Sequence, residues 1–444
     1  MFKRTLLAAA LACALPAQAA AVSDEDLSKL RAEFDQKLKD IQAAYEGRLK
    51  DLEARLAKPA VPVEQATRPS TSAANPELSL ILLGSYAQRK AGERRPTGFL
   101  QDAGIGAPAR GFSLNDTELI LAANIDPYFR GLATLILADG QASVEEAWFQ
   151  TLSLDHGLTL KGGRIISGIG YANEQHPHAW DFADNNLMYQ TLFGEHLVQD
   201  GLQLKWLAPS DTFVELGMEL GRGEAFPGSA AGGDNNGAGS WAIFGHVGGD
   251  VGEAYAWRAG LSYLGARPQA RESLLVDNGG VEASTLFSGK SNTWIADLIW
   301  KWAPDGNPKA RNFKFQTEYF QRDEAGDLTY DTASGGANTP GAYRARQSGW
   351  YAQGIYQFMP HWRVGLRYDR LNSGSLDFGA NNTNLPVADY SPTKWSLMAD
   401  YSPSEYARFR LQLARDHAMQ GDPDNSQISL QYIYSLGAHG AHKF

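Results

Sequence analysis

The stretch QISLQYIYSLGAHGAHKF, residues 427–444 at the end of the chain, decides the fold. Every second residue in it is apolar, and this set consists of Ile428, Leu430, Tyr432, Tyr434, Leu436 and Ala438. The other parity is polar at Ser429, Gln431, Ser435 and His439. Alternation with a period of two is typical of a β-strand that has one apolar face. The strands of a soluble β-sandwich also alternate between apolar and polar residues, so the rest of the chain has to distinguish a sandwich from a membrane barrel.

Working back from this strand, the same alternation recurs in fifteen more segments, which makes an even total of sixteen. The predicted strands cover residues 78–86, 112–124, 128–138, 144–154, 158–168, 201–207, 212–220, 240–247, 254–264, 291–303, 311–321, 348–358, 362–371, 393–402, 406–415 and 427–443. Single-chain bacterial outer-membrane barrels have an even number of antiparallel strands.

The connections between these strands are alternately short and long. The short ones contain turn residues and cover 124–127, 155–157, 208–211, 248–253, 303–310, 359–361 and 402–405. The long ones cover 87–111, 169–200, 221–239, 265–290, 322–347 and 372–392, and only 139–143 and 416–426 depart mildly from this alternation. Short periplasmic turns alternating with long external loops are typical of membrane barrels. We therefore predict an all-β transmembrane fold, a 16-stranded antiparallel outer-membrane β-barrel over residues 78–444.

The composition agrees with a barrel whose strands face lipid on one side and water on the other. The chain has 40 Lys+Arg against 50 Asp+Glu, a net charge of −10, which argues against nucleic acid as a partner. Aromatic residues are plentiful, and six tryptophans fall near predicted strand ends, as expected for interfacial girdles: Trp206, Trp241, Trp300, Trp302, Trp362 and Trp395.

The N-terminus has the features of a secretory signal peptide over residues 1–19. Lys3 and Arg4 precede an apolar run over 5–15, and Ala17-Gln18-Ala19 forms a cleavage site. The alternative is a short membrane anchor. Cys13, the only cysteine, lies in this segment, so cleavage would leave no thiol or disulfide.

An eleven-residue repeat follows the signal peptide. Its three blocks start at Leu27, Leu38 and Leu49, and apolar residues recur at steps of 3, 4 and 4. This period is 3.67 residues per turn, which suits a straight or slightly right-handed coiled coil. We predict an N-terminal periplasmic α-helical coiled-coil stalk over 23–58 and a Pro/Ser linker over 59–77. A lone amphipathic helix is the alternative.

Sixteen strands enclose an aqueous lumen, so we expect function to depend on whatever narrows it. The third external loop, 169–200, is the longest and acidic, and the late strands carry inward-facing arginines. The predicted constriction consists of Glu174, Asp181, Asp184 and Glu195 on the loop and Arg363, Arg367, Arg408 and Arg410 on the wall. A basic wall facing an acidic loop would create a transverse field. Alternatively, the arginines only neutralise loop and turn carboxylates.

The same loop holds His176, His178 and His196 among its carboxylates. Imidazole and carboxylate together suit Zn²⁺ or a similar divalent ion, either bound or transported. The spacing matches no tight motif, and a structural or solvated role is the alternative. We expect no other cofactor.

The chain resembles trimeric sixteen-stranded bacterial porins, and most of all the phosphate-selective porin O/P family. The stretch EEAWFQTLSLDHGLTLKGGRIISGIGY, residues 145–171, carries this resemblance, because it is similar to the family's strand pair that leads through a Gly-Arg segment into the third loop. The resemblance implies a homotrimer and, in some members, a Lys/Arg-lined anion path. The terminal Phe444 resembles the signal by which outer-membrane proteins engage the barrel assembly machinery.

Three functions follow from these observations, and a fourth, an enzyme, is disfavoured. The first is a porin-type channel in outer-membrane lipid for small hydrophilic solutes or ions. The second is a substrate-specific uptake porin for a divalent metal or its chelate. The third is a structural tether in which the stalk reaches peptidoglycan. An enzyme is disfavoured, because no Ser/His/Asp arrangement stands out at the barrel rim.

Overall fold

The computed structural model describes residues 36, 39 and 76–437, except 92–95, 104, 107, 139, 331–338, 388 and 422–424. The predicted signal peptide and Phe444 lie outside these residues, as does all of the predicted stalk except Gln36 and Lys39, which are helical. No helix in the described part of the chain is long and apolar enough to span a membrane.

The described residues form seventeen antiparallel strands and a few short helices. The strands are β1 (Glu77–Gln88), β2 (Gly111–Asn124), β3 (Phe129–Ala138), β4 (Gln141–Thr151), β5 (Leu158–Ile166), β6 (Val198–Leu207), β7 (Phe213–Gly221), β8 (Ser240–Val251), β9 (Tyr255–Ala266), β10 (Arg271–Val276), β11 (Glu282–Trp302), β12 (Asn312–Tyr330), β13 (Thr339–Met359), β14 (Trp362–Asp377), β15 (Thr393–Ser404), β16 (Ala407–His417) and β17 (Asn425–Gly437). Between the strands lie the α-helices α1 (Leu187–Leu192) and α2 (Ala230–Gly233) and 3-10 turns at Pro177–Ala179, Pro304–Gly306 and Gly379–Asn381.

Sixteen of these strands close into one barrel. β1 pairs with β17 on one side and with β2 on the other, so the sheet has no free edge there. β10 is the additional strand, and it pairs only with the first residues of β11, from Glu282 to Phe287. The prediction of sixteen barrel strands is therefore confirmed.

Several strands run further than predicted at the long-loop end. Residues 265–290 and 322–347 were expected to be loops, but they contain β10, the part of β11 from Glu282 to Lys290 and the paired ends of β12 and β13. The expectation was wrong because backbone pairing can continue beyond the apolar band. There the apolar parity is the inner one, because Phe287, Leu328 and Tyr343 are buried in an apolar cluster inside the barrel. These segments therefore do not continue the pattern of apolar residues outside and polar residues inside from which the strands were predicted.

The outer surface of the barrel is apolar, and the inner surface of the same strands is polar. On β14 to β17, the exposed apolar side chains include Trp362, Val364, Leu366, Trp395, Leu397, Phe409, Leu411, Leu413, Ile428, Leu430 and Tyr432. The buried ones between them include Arg367, Asp369, Ser396, Asp400, Arg410, Gln412, Ser429 and Gln431. This is the inside-out pattern of barrels that span a bilayer, because charge on the lipid face is costly.

Aromatic side chains form two outer belts. Near the long loops, Trp241 and Trp294 pack on Tyr263, with ring centroids 5.0 and 4.7 Å apart. Near the short turns, Trp300 stacks on Tyr255 at 5.5 Å. Paired belts at the two ends of an apolar band are typical of membrane interfaces.

From the strand count we expected an aqueous lumen, but the inside of the barrel also contains apolar packing. An apolar cluster lies within it, formed by α1 and inward-facing residues of β8, β9 and β11 to β14. Its members include Leu187, Met188, Tyr189, Leu192, Phe244, Leu264, Ile295, Phe320, Tyr351 and Leu371. Part of the lumen is therefore a packed side-chain core.

Candidate functional site

Residues 167–197, here called the inserted loop, fill part of the barrel interior. The backbone N–H of Ser167 donates to the carbonyl of Leu197 at 2.9 Å and closes the loop at its base. Between these ends lie α1 and the 3-10 turn Pro177–Ala179. The side chain of Asn186 accepts from the backbone N–H of Tyr189 at 3.1 Å and so caps α1. Most of the loop is buried against the inner wall.

Two inward-facing glutamates hold the loop backbone. On β7, Glu219 accepts a hydrogen bond from the backbone N–H of Gly168 at 2.8 Å. On β12, Glu318 accepts from the N–H groups of Tyr171 and Ala172 at 3.1 and 2.9 Å. Glu318 also accepts from the Tyr189 hydroxyl at 2.9 Å. Buried carboxylates that accept several N–H and O–H bonds are strong anchors, because releasing the loop would leave these buried groups without their hydrogen-bond partners.

Asp181 joins the inserted loop to β12, β13 and β14. Its carboxylate accepts from Arg363 Nη1 and Gln353 Nε2, both at 3.1 Å, and contacts the Lys314 ammonium. Burial alone would raise the pKa of Asp181, but Lys314 and Arg363 hold that pKa well below its ordinary value. The carboxylate is therefore ionised at physiological pH.

Asp184 forms the second ion-pair anchor, on β14, β15 and β16. Its Oδ1 lies 2.8 Å from Arg367 Nη2 and 3.0 Å from Gln412 Nε2, and Oδ2 contacts the Lys394 ammonium. Burial opposes ionisation here too, yet Lys394 and Arg367 hold the pKa of Asp184 well below its ordinary value.

Arg410 binds the loop backbone rather than a loop carboxylate. Its two terminal nitrogens donate to the carbonyls of Trp180 and Phe182 at 2.6 and 2.8 Å. Arg408 lies beside it, with Nε 4.0 Å from Asp400 Oδ2.

These contacts change the interpretation of the predicted constriction. The arginines face inward as the strand parity predicts, but Arg363 and Arg367 form contact ion pairs with Asp181 and Asp184 instead of facing them across water. This is the alternative in which the arginines neutralise loop carboxylates. Glu174 is paired as well, with Lys205 Nζ at 3.1 Å.

Glu195 lies apart from the other predicted constriction residues. It is exposed at the turn that follows α1, and its backbone carbonyl accepts from Asn185 Nδ2 at 2.8 Å.

A second group of ionisable side chains, here called the His–Glu cluster, joins the inserted loop to β2 and β4. It consists of Glu118, Glu145, Glu146, His176 and His178. His176 Nδ1 lies 3.0 Å from Glu145 Oε2 and 3.7 Å from Glu118 Oε2, and its Nε2 lies 3.2 Å from Glu146 Oε2. His178 Nδ1 lies 2.8 Å from Glu118 Oε1. Burial alone would lower the pKa of His176, but hydrogen bonds to Glu145 and Glu146 raise that pKa well above its ordinary value.

His196, the third histidine of the predicted metal set, is not a member of this cluster. Its Nδ1 faces the carbonyl of Asn173 at 3.1 Å, and its ring packs beside Trp180 at 5.4 Å. Burial lowers the pKa of His196 to about 4, so this imidazole is neutral at physiological pH.

A cavity of about 450 Å³ lies beneath the inserted loop, toward the short turns. Charges of both signs line it. The basic lining residues are Arg130, Lys161, Arg258, Lys301, Lys314 and Arg363, and the acidic ones are Glu77, Glu146, Glu174 and Asp181. His176 and His178 also lie on its wall, so the His–Glu cluster borders this space.

No family model matches this chain. A protein of Aquifex aeolicus (strain VF5), described as an uncharacterized protein, is 32% identical to it over 349 residues, which are 76% of this chain and 70% of that protein. The chain belongs to the same family as this Aquifex protein.

Two solved structures show the same fold. The OmpT outer membrane protein of Vibrio cholerae, in a form lacking loop L8, has a TM-score of 0.51 and 12% identity, and the match covers 81% of this chain and 99% of that one. The trimer form of OmpT has a TM-score of 0.50, also at 12% identity and with the same coverage. The sixteen-stranded barrel described above therefore has the fold of an outer-membrane barrel.

Sequence reasoning identified the loop residues of the site but missed the strand carboxylates that receive them, namely Glu118, Glu145, Glu146, Glu219 and Glu318. One signal was available. An acidic residue within a predicted strand, on its polar parity, faces the barrel interior and needs a partner there.

Proposed function

We propose that this protein is an outer-membrane porin-type channel through which small hydrophilic solutes or ions diffuse, with the inserted loop as its constriction. The observation that carries the proposal is the inserted loop itself. It is anchored to opposite sides of the wall by Glu219, Glu318, Asp181 and Asp184, and a charged cavity remains beneath it.

The surface supports a location in the outer membrane. Apolar side chains cover the outside of the barrel between two aromatic belts, and among the described residues each of the sixteen barrel strands pairs with a neighbour on both sides. A closed barrel is one of the two structures whose backbone is fully satisfied in lipid. The predicted signal peptide agrees with export.

The packing inside the barrel favours a narrow channel over a wide, unspecific one. α1 and the apolar cluster occupy part of the lumen, and solutes reaching the cavity meet both basic and acidic side chains. Such a lining sorts solutes by size and charge. The acidic side chains among the basic ones disfavour a path selective for phosphate.

A homotrimer is part of the proposal. It is implied by the resemblance to trimeric porins, and the OmpT structure with the same fold is described in a trimer form. Outer-membrane lipid and the barrel assembly machinery are the expected partners. Peptidoglycan would be a further partner only if the N-terminal segment acts as a tether.

A substrate-specific uptake channel for a divalent metal such as zinc, or for its chelate, is the second candidate. The His–Glu cluster on the cavity wall favours it, because a permeating cation would pass imidazole and carboxylate groups there.

Single-channel recording of the purified full-length protein in planar bilayers, with a KCl gradient, tests the channel. The only cysteine is Cys13, so in a Cys13→Ser background a new cysteine in the barrel is the one thiol that the reagent can label. In Lys161→Cys the thiol lines the cavity, whereas in the control Leu202→Cys it is exposed on the lipid face. A charged thiol reagent should reduce conductance in the first variant and not in the second.

Each outcome has a distinct meaning. Block confined to Lys161→Cys supports solute passage through the cavity. Equal insensitivity of both variants would contradict a path through it. Absence of any conductance would overturn the channel and leave the tether as the remaining function.

A further inference from the structure

The His176 ring is held between carboxylates on both of its nitrogens. Nε2 faces Glu146 at 3.2 Å, whereas Nδ1 faces Glu145 at 3.0 Å and Glu118 at 3.7 Å. A neutral imidazole carries one proton. If Nε2–H donates to Glu146, the Nδ1 lone pair is directed at two carboxylate oxygens, which are acceptors only. A cation, either a proton or a metal ion, must then lie between them.

A β-bulge brings the two adjacent glutamates to the same ring. Glu146 pairs with Thr134 and Val144 pairs with Leu135, so Glu145 is the extra residue of β4. Neighbouring residues of a regular strand point to opposite faces, and a bulge re-aims one of them. In this way Glu145 and Glu146 reach the two nitrogens of a single imidazole.

We infer that Glu118, Glu145 and His176 bind a divalent cation of the zinc class at the wall of the lumen. The ligand atoms would be Nδ1 of His176 and one carboxylate oxygen of each glutamate, and one atom from each of the three residues lies within 4.8 Å of the others. Tetrahedral zinc with bonds of about 2.0–2.2 Å separates its ligand atoms by about 3.3 Å. The distances of 3.0 and 3.7 Å from Nδ1 bracket this value.

Glu146 and His178 then act as orienting residues. A metal-binding histidine usually donates its other ring N–H to a carboxylate, which is the position of Glu146. His178 contacts the second oxygen of Glu118 and stacks on His176, with ring centroids 5.6 Å apart. A mixed imidazole and carboxylate set suits Zn²⁺ better than Ca²⁺ or Mg²⁺, which prefer oxygen alone.

Three protein ligands leave one position of a tetrahedral ion open. His176 and Glu146 line the cavity, so this position can be reached by water or by a solute from the lumen. The site differs from the three-histidine set that we expected from the sequence, since His196 is turned to the Asn173 carbonyl instead.

The competing explanation is a cluster neutralised only by a second proton on His176. Equilibrium dialysis of the chelator-treated full-length protein in detergent, against ZnCl₂, separates the two. The metal site predicts one Zn²⁺ per chain, with the affinity lowered by more than about a hundredfold in Glu145→Gln and His176→Gln and by about ten- to a hundredfold in Glu146→Gln. His196→Gln is the matched control and should bind as the wild type does.

Folding is monitored separately by the mobility shift of the barrel on heating in an SDS gel. Glu145 and His176 are partly exposed, so their variants are expected to fold. CoCl₂ as a second probe should give visible absorption bands that weaken in the same variants. Wild-type affinity in folded Glu145→Gln and His176→Gln, or equal loss in His196→Gln, would overturn the site. Because binding is measured without a bilayer, its failure is distinguishable from failure of the channel.

Discussion

Replacing Asp184 by Asn tests whether the ion pairs hold the inserted loop in the lumen. The change keeps the size of the side chain and removes one negative charge. That charge lies 2.8 Å from Arg367 Nη2 and in contact with the Lys394 ammonium, and both cationic side chains are almost completely buried.

The cost follows from the burial of these groups. Removing one partner of a buried ion pair typically costs about 3–5 kcal/mol. Because Asp369 still contacts Arg367 Nε at 3.0 Å, we expect the lower end of that range. About 3 kcal/mol corresponds to about a hundredfold change in an equilibrium constant. The ratio of released to anchored loop should rise by that factor in Asp184→Asn.

A released loop should leave the lumen wider, so single-channel recordings measure this ratio as the time spent at high conductance divided by the time spent at low conductance. The control is Asp323→Asn, which removes a carboxylate from an exposed pair with Arg346, at 3.6 Å, that does not involve the loop. Surface pairs contribute only about 0–1 kcal/mol, so its gating should match the wild type. Unchanged gating in folded Asp184→Asn, or an equal change in both variants, would refute the anchoring role.

Three further predictions concern the pH response, the loop core and the lipid face. The pKa values of Asp181 and Asp184 are depressed below the ordinary 3.8, so the stability that these two carboxylates contribute is present above that pH and is lost only as the pH falls through the depressed values. The effect of Asp184→Asn on gating should therefore be the same at pH 7 and at pH 5, and an effect that disappears at pH 5 in recordings would contradict this. Tyr189→Phe removes a buried hydrogen bond to Glu318 and should cost about 1 kcal/mol, seen as roughly fivefold faster amide exchange in α1, whereas unchanged exchange would argue against this anchor. Leu411→Arg should destabilise the barrel by about 2–4 kcal/mol in guanidinium unfolding from vesicles, with Leu411→Met as control, and equal stability of the two would place this face away from lipid.

The barrel wall could be predicted from the sequence because each strand that crosses the membrane has one face toward lipid and the other toward the polar interior, and its residues alternate accordingly. Lipid outside and polar groups inside select opposite side chains at alternate positions, as along 427–436. Where that contrast ends, prediction failed. β10 and the outer parts of β11 to β13 do not show this contrast, since their inner face packs on an apolar cluster that includes Phe287, Leu328 and Tyr343.

The site was only partly accessible to the same reasoning. The acidic loop, the inward arginines and His176 with His178 were all identified, but the partners of each could not be assigned. Glu318 is 146 residues from Ala172, and Arg363 is 182 residues from Asp181. No local pattern relates residues so far apart in the chain.

The sequence by itself determined the strand count, the faces of the strands and the identity of the loop that matters. Each of these depends on neighbours in the chain and on the surrounding medium. Only the tertiary structure decided that the loop enters the barrel, that its aspartates are paired, and that a bulge at Glu145 turns two glutamates toward His176. These features depend on contacts between residues far apart in the chain, and such contacts form only when the barrel is closed by the pairing of β1 with β17.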